Sequence, residues 1–221
     1  MARRDIGRSR TDRTDEGSGD ALTPKQRERR RQILETVRRL IGDVGYASLT
    51  MRDVALEAGV AHATLYNQFE TKDGLVLAAL RDNLERLAAH RVSGRQDAIG
   101  RYFELLGAVT EEVVQRPRYA EAMTQLMFNA APSDEVTNLL VAQRIALDRA
   151  SVRQMIVEGV LLPDTNVDMA ARRLTGAFWS IMLLWTKGFV ALHDLPGELH
   201  GGHRAVLEAL ATGAGRVRLR V

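Results

Sequence analysis

The sequence predicts an all-α protein. Three observations carry that expectation. Apolar residues recur at helical spacing along most of the chain. Proline, glycine and Ser/Thr/Asp cap residues punctuate that pattern at helix-sized intervals. No stretch alternates convincingly as a strand, and no internal repeat is visible.

Taken in order, residues 1–21 lack apolar periodicity and are rich in Arg, Asp, Gly and Ser, so they are expected to be disordered. Thr23 is suited to the N-cap of a first helix, with Pro24 at its first position. Ile33, Val37, Leu40, Ile41 and Val44 give that helix an apolar face, and Gly45 ends it. Thr50 caps a second helix, with Asp53 in its first turn, and Gly59 follows as a turn. The stretch "GVAHATLYNQF", residues 59–69, contributes a third, short helix. A longer helix runs from about Lys72 to Gly94. Asp97 caps one that reaches Val114, before Pro117, and another covers about 118–130 up to Pro132. Ser133 is expected to cap a long helix as far as Val160, before Pro163. Thr165 opens one through "MAARRLTGAFWSIMLLWTKGFVAL", and the last helix covers about 197–212. The total is about nine helices.

Composition narrows the function. The chain has 221 residues, 45 % of them apolar, which suits a globular protein with a sizeable core. Cysteine is absent, which excludes disulfides and thiolate metal sites and agrees with a reducing, cytoplasmic setting. No apolar run approaches the ~20 residues of a membrane-spanning helix, and the start has no hydrophobic signal region. Enzyme signatures are missing: no G-x-S-x-G elbow, phosphate loop or H-E-x-x-H occurs. Net charge is only +3, but residues 21–31, "ALTPKQRERRR", hold five basic residues against Glu28. Such a cluster fits either an anionic partner or a solvated helix face. His193, Asp194, His200 and His203 are metal-ligating types, but their spacing is no recognised signature, and no metal is expected.

Ala55, Gly59 and Leu65 meet the packing needs of a helix–turn–helix: a small residue at the crossing, a turn tolerant of positive φ, and an apolar anchor. Val54, Val60 and Phe69 complete a small core. With Leu65 facing inward on a wheel of 100° per residue, Ala63 and Asn67 face outward, Thr64 and Tyr66 flank them, and His62 stands at the N-terminal end. No acidic residue lies between 58 and 69. A helix entering a DNA major groove needs this surface: small residues for close approach, hydrogen-bonding groups, and no carboxylate to repel phosphates.

"LTMRDVALEAGVAHATLYNQFETKDGLV", residues 49–76, resembles the DNA-binding region of tetracycline-repressor-like (TetR-family) transcriptional regulators. The resemblance rests on the Thr at the helix start, A-x-x-A-G-V, T-L-Y-x-x-F and the following Lys, within roughly residues 24–80. It implies a helix–turn–helix domain over 22–72 and a ligand-binding and dimerisation domain over 73–221. Arg52 is then a base reader, probing guanine, or a phosphate contact. His62, Ala63 and Thr64 face bases or adjacent phosphates. Tyr66 offers its hydroxyl to a phosphate, and Asn67 and Gln68 are further candidates. Thr50 and Lys72 grip phosphates. Ala61–His62 departs from the family's usual Ser–Lys pair, so operator preference does not transfer. Arg3, Arg4, Arg8, Arg10 and Arg13 have the character of a minor-groove arm, although the acids among them favour passive disorder.

The same resemblance implies a repressor of double-stranded, palindromic DNA, acting as a homodimer and released by a small, largely apolar effector. An activator of the same family and a helical protein-interaction scaffold are the alternatives. Tyr102, Phe103, Met123, Leu126, Met127, Phe128, Met155, Trp179, Met182 and Trp185 are candidates for lining the effector pocket, or else plain core. Arg118, Gln125, Asn129 and Arg153 are candidates for its polar contacts. The apolar helix near 168–191 and the last helix would form a four-helix interface between subunits. No cofactor and no membrane association are expected.

Overall fold

A computed structural model describes residues 23–89, 97–129 and 134–220. The described residues form ten α-helices: α1 (Pro24–Ser48), α2 (Met51–Glu57), α3 (His62–Phe69), α4 (Lys72–Ala89), α5 (Ala98–Gln115), α6 (Pro117–Asn129), α7 (Glu135–Val157), α8 (Val167–Thr186), α9 (Leu195–Leu210) and α10 (Gly213–Leu219). The all-α expectation is borne out, with one more helix than the sequence suggested. None of these helices is long and apolar enough to cross a membrane. The N-terminal extension, Gly94 and Ser133 lie outside the described residues.

Local chemistry explains most helix ends. Thr23 and Gln26 form a reciprocal capping box at the start of α1, with Pro24 in its first turn. Gly45, at φ 76° and ψ 164°, breaks α1 where the sequence predicts, before a last helical turn to Ser48. Asp97 accepts from the Gly100 amide to cap α5. Two predicted caps shift by one residue. Asp134 caps α7, accepting from Thr137 N at 2.7 Å, and Asn166 caps α8, accepting from Met169 N at 2.9 Å. Ser133–Asp134 and Thr165–Asn166 each offer two adjacent side chains able to cap, and sequence alone does not separate them. Helix α8 stops at Thr186 rather than running to Leu192, because Gly188 turns the chain at φ 78°.

Helix α10 escaped prediction because "GAGRVRL" is glycine-rich and short. Its anchor is tertiary. Thr212 N donates to Val160 O, and Leu162 N donates to Leu210 O, around an isolated antiparallel bridge between Leu161 and Ala211. A Cβ on Gly215 would lie 2.0 Å from Val160 O, so only glycine allows this approach.

Helices α1–α3 and the first half of α4 share one core, with Ile33, Val37, Val54, Leu65 and Leu75 fully buried. That core continues into Tyr119 and Met123 of α6. Helices α1 and α6 approach closely at Gly42, whose added Cβ would lie 3.2 Å from Tyr119 N. Helices α5 and α7–α10 bury a second cluster around Met155, Leu174 and Leu207. A third joins Leu106, Phe178, Met182 and Leu199.

The junction of α3 and α4 is strained. Glu70 sits at φ 59° and ψ −50°. Thr71 N donates to Phe69 O at 2.6 Å, closing a γ-turn of the positive-φ kind that side-chain-bearing residues avoid. The turn carries the chain straight from the end of α3 into α4. Glu70→Gly is expected to stabilise the fold by about 1 kcal/mol, read as a rise in melting temperature. An unchanged or lower melting temperature would refute the strain.

Candidate nucleic-acid interface and effector cleft

The helix–turn–helix begins with capping chemistry. Thr50 Oγ1 accepts from Asp53 N at 3.1 Å and donates to Asp53 Oδ2 at 2.5 Å. Helix α2 ends in a Schellman motif: Val60 N reaches Ala55 O at 2.9 Å and Gly59 N reaches Leu56 O at 3.2 Å, with Gly59 at φ 63°. That turn aims α3 back over α2. Leu65, 0 % exposed, and Phe69 anchor α3 from below, and the Arg30 guanidinium lies 4.7 Å over the Phe69 ring.

The rest of α3 forms a solvent-facing surface. His62, Ala63, Tyr66, Asn67 and Gln68 are exposed and Thr64 is half-buried. His62 and Tyr66 rings pack together, centroids 4.7 Å apart. Arg52 is exposed on α2. The exposed surface of α3 thus carries His62, Ala63, Tyr66 and Asn67 with no acid of α3 among them, whereas Gln68 lines a cleft with Arg30, Glu70 and Asp82. The two expected phosphate grips have internal duties. Thr50 is committed to its cap. Lys72 lies 4.5 Å over the Tyr46 ring and donates to Tyr46 O at 3.3 Å. Tyr46 in turn donates to Asp73. Lys72 therefore fixes the α1–α4 junction.

A cleft of about 140 Å³ lies between α4, α5, α6, α7 and α8. Of the expected ligand-contacting residues, Met123, Trp179 and Met182 line it. The others sit elsewhere. Tyr102 lines a second cleft, on α5 and α7, and its hydroxyl is taken by Asp148. Phe103 stacks on His200, centroids 4.2 Å apart. Leu126 packs on the first core cluster, Met155 is fully buried in the second and Trp185 packs on the third. Phe128 is exposed and Met127 half-buried. Arg118, Gln125, Asn129 and Arg153 are not on the cleft wall either. Its polar groups are instead Asn83, Glu112, Tyr119, Thr124, Gln143 and Arg144, which sequence reasoning missed. Arg144 and Asp148 lie one helical turn apart, a spacing common to exposed ion pairs, and the fold buries both.

Arg144 is the hinge of a buried polar cluster. Its Nε donates to Asp148 Oδ2 at 3.1 Å, its Nη2 meets His203 Nε2 at 3.0 Å, and its guanidinium lies 4.5 Å over the Phe178 ring. Asp148 also accepts from Thr175 Oγ1 at 2.8 Å and Tyr102 Oη at 3.2 Å. Burial first of all raises the Asp148 carboxyl above its ordinary range, with Arg144 the main opposing influence. His203 Nδ1 contacts Leu199 O at 2.6 Å, so the proton belongs on Nδ1 and Nε2 accepts from Arg144. Both nitrogens are occupied, which removes His203 from any metal set. Among the described residues, no three His, Cys, Asp or Glu side chains gather to hold a metal.

Burial first, then Arg144, pushes His203 down to about 4. The folded state therefore binds fewer protons than the unfolded state, in which the imidazole titrates near ~6.5. Its contribution to stability is complete above the unfolded value and is lost as pH falls from ~6.5 towards ~4, by about 3 kcal/mol. His203→Gln is expected to flatten that part of the stability–pH curve. Denaturant midpoints measured from pH 7 to pH 4 check it, and curves of equal slope would refute it.

A ladder of ion pairs links the cleft wall to α1 and α4. Glu112 lies 3.4 Å from Arg116 Nε, and Arg116 Nη1 lies 2.7 Å from Glu35 of α1. Glu35 pairs with Arg38 at 2.8 Å, and Arg38, 1 % exposed, pairs with Asp82 of α4 at 2.8 Å and donates to Ala79 O.

A helix–turn–helix with an acid-free exposed face, set on a helical body with a cleft, defines a DNA-binding regulator. Comparison with known proteins agrees. The pattern of "Bacterial regulatory proteins, tetR family" matches residues 33–79. The chain is similar to the HTH-type transcriptional repressor KstR of Rhodococcus jostii, at 34 % identity over 191 residues, covering 83 % of this chain and 84 % of that protein. It is 36 % identical over 80 residues to the HTH-type transcriptional repressor Rv1474c of Mycobacterium tuberculosis, covering 36 % of this chain and 42 % of that one. Its fold resembles that of TylP, a TetR regulator of Streptomyces fradiae, with TM-score 0.73 at 22 % identity over 87 % of this chain and 90 % of that one. The chain belongs to the TetR family of bacterial transcriptional regulators. The expectation of a DNA-binding transcriptional repressor is borne out.

Proposed function

We propose that the chain represses by holding a palindromic operator as a homodimer and lets go when a small, mainly apolar ligand enters the α4–α8 cleft. The exposed, acid-free face of α3 carries the DNA half of this reading. Arg52, His62, Ala63, Thr64, Tyr66, Asn67 and Gln68 meet bases and phosphates, and the basic start of α1 adds backbone contacts. Two such faces, one helical turn of DNA apart, require a dimer.

The ligand half rests on position. Tyr119 and Met123 belong both to the cleft wall and to the core shared with α1. A ligand that displaces α6 therefore displaces Arg116 and α1 with it, and the fixed half-site spacing converts a small shift into lost affinity. In a gel shift, the protein is expected to bind DNA upstream of its own gene, with affinity falling steeply as salt rises. Absent or salt-insensitive binding would refute the proposal.

A further inference from the structure

Besides Glu112 Oε1, which makes no hydrogen bond but lies in ion-pair range of Arg116 and Arg86, the cleft wall carries three uncharged polar atoms with no hydrogen-bond partner among the described residues: Tyr119 Oη, Gln143 Oε1 and Trp179 Nε1. All three are shielded from bulk solvent, and Tyr119 as a whole is only 8 % exposed. A buried donor or acceptor left unmade costs about 1–3 kcal/mol, so folded proteins keep few of them. Three on the lining of one cleft make a set of recognition groups within an otherwise apolar wall of Leu80, Val113, Met123, Phe178 and Met182.

The charges of the same wall are matched within the protein. Arg144 is held by Asp148 at 3.1 Å, and Glu112 by Arg116 at 3.4 Å and Arg86 at 3.8 Å. An anionic ligand would meet the Glu112 carboxylate with no spare cation beside it, because Arg144 is already paired with Asp148. The orphan atoms ask for uncharged partners. Trp179 Nε1 is a donor, Tyr119 Oη donates and accepts, and the Gln143 amide presents either function by rotating end for end. A hydroxyl matches all of these, and a carbonyl matches the donors. The volume, about 140 Å³, is close to the ~150 Å³ that accepts a benzene-sized ring.

Building on the reading of this cleft as the effector site, we propose that it selects a neutral ligand: an apolar ring recognised through a hydroxyl or carbonyl oxygen by Tyr119, Gln143 and Trp179. Charged acids of the same shape are rejected.

The test uses the full chain with Trp185→Phe, which leaves Trp179 as the sole tryptophan of the two present. Three probes of one shape are titrated at pH 7: 4-ethylphenol, ethylbenzene and 4-ethylbenzoate. Trp179 emission reports binding, and a gel shift reports DNA release separately. The phenol is expected to bind about tenfold tighter than ethylbenzene, the worth of about one hydrogen bond, and the benzoate not at all. Tyr119→Phe with Gln143→Leu should bring phenol and ethylbenzene to similar affinities, without weakening ethylbenzene. Gln143→Leu alone should remove part of the preference, which covers the case of a double variant that folds poorly. Tightest binding by the benzoate, a preference untouched by both variants, or no binding of any probe would overturn the proposal. Phenol binding that leaves the DNA complex intact would uphold the recognition and refute the effector role.

Discussion

Asp148→Leu is expected to cost about 3–5 kcal/mol of stability, a drop on the order of 10 °C in melting temperature for a chain of this size. Asp148 is 1 % exposed and accepts from Arg144, Thr175 and Tyr102. Removing its carboxylate strands a guanidinium that cannot lose its proton, and leaves two buried hydroxyls without their acceptor. Leucine fills similar space, so loss of packing contributes little. The paired change Arg144→Met with Asp148→Leu should recover most of the loss, because both charges leave together. Melts compared at one protein concentration check this, since the proposed dimer would melt in a concentration-dependent way. A cost under ~1 kcal/mol for Asp148→Leu, or no recovery in the pair, would show that the cluster does not hold the domain together.

That cluster also marks where sequence reading ends. Its members come from α5, α7, α8 and α9, and each has an innocent local explanation. Arg144 and Asp148 look like an exposed i, i+4 pair, Tyr102 like a pocket aromatic, and His203 like part of a loose histidine-rich loop. Only tertiary packing joins them. The helix–turn–helix is legible for the opposite reason. Thr50, Ala55, Gly59 and Leu65 act on neighbours within a few residues, so spacing alone encodes their roles. Gly59 at φ 63° and Leu65 at 0 % exposure are where that spacing puts them.

The α4–α8 cleft lies between these extremes. Apolar composition picked out Met123, Trp179 and Met182, but composition does not distinguish a cleft wall from core, and Met155 and Trp185 went to core. The polar half of the wall gave no signal, because Gln143 and Glu112 sit on helices that also carry exposed polar residues such as Glu111, Gln115, Arg153 and Gln154. Lys72 shows the same limit. A lysine after a recognition helix suits a phosphate, but here Tyr46 lies close enough to hold it.

Ala63→Glu is expected to weaken operator binding by about 100-fold or more while leaving stability unchanged within ~0.5 kcal/mol. Ala63 is exposed on α3, pointing away from Leu65 and Phe69, so a longer side chain meets nothing inside the protein. In the proposed complex with DNA the same position faces the groove, where a carboxylate would meet phosphate charge and displace the close approach that alanine permits. A like-charge contact of this kind costs several kcal/mol. Ala63→Gln separates the two causes: it adds the same bulk without charge, so it should weaken binding less and keep the salt dependence of the parent. Fluorescence anisotropy on the operator at two salt concentrations reads both quantities. Full affinity in Ala63→Glu would mean that this face of α3 does not enter the groove, and the assignment of His62, Thr64 and Tyr66 as its neighbours on DNA would fall with it.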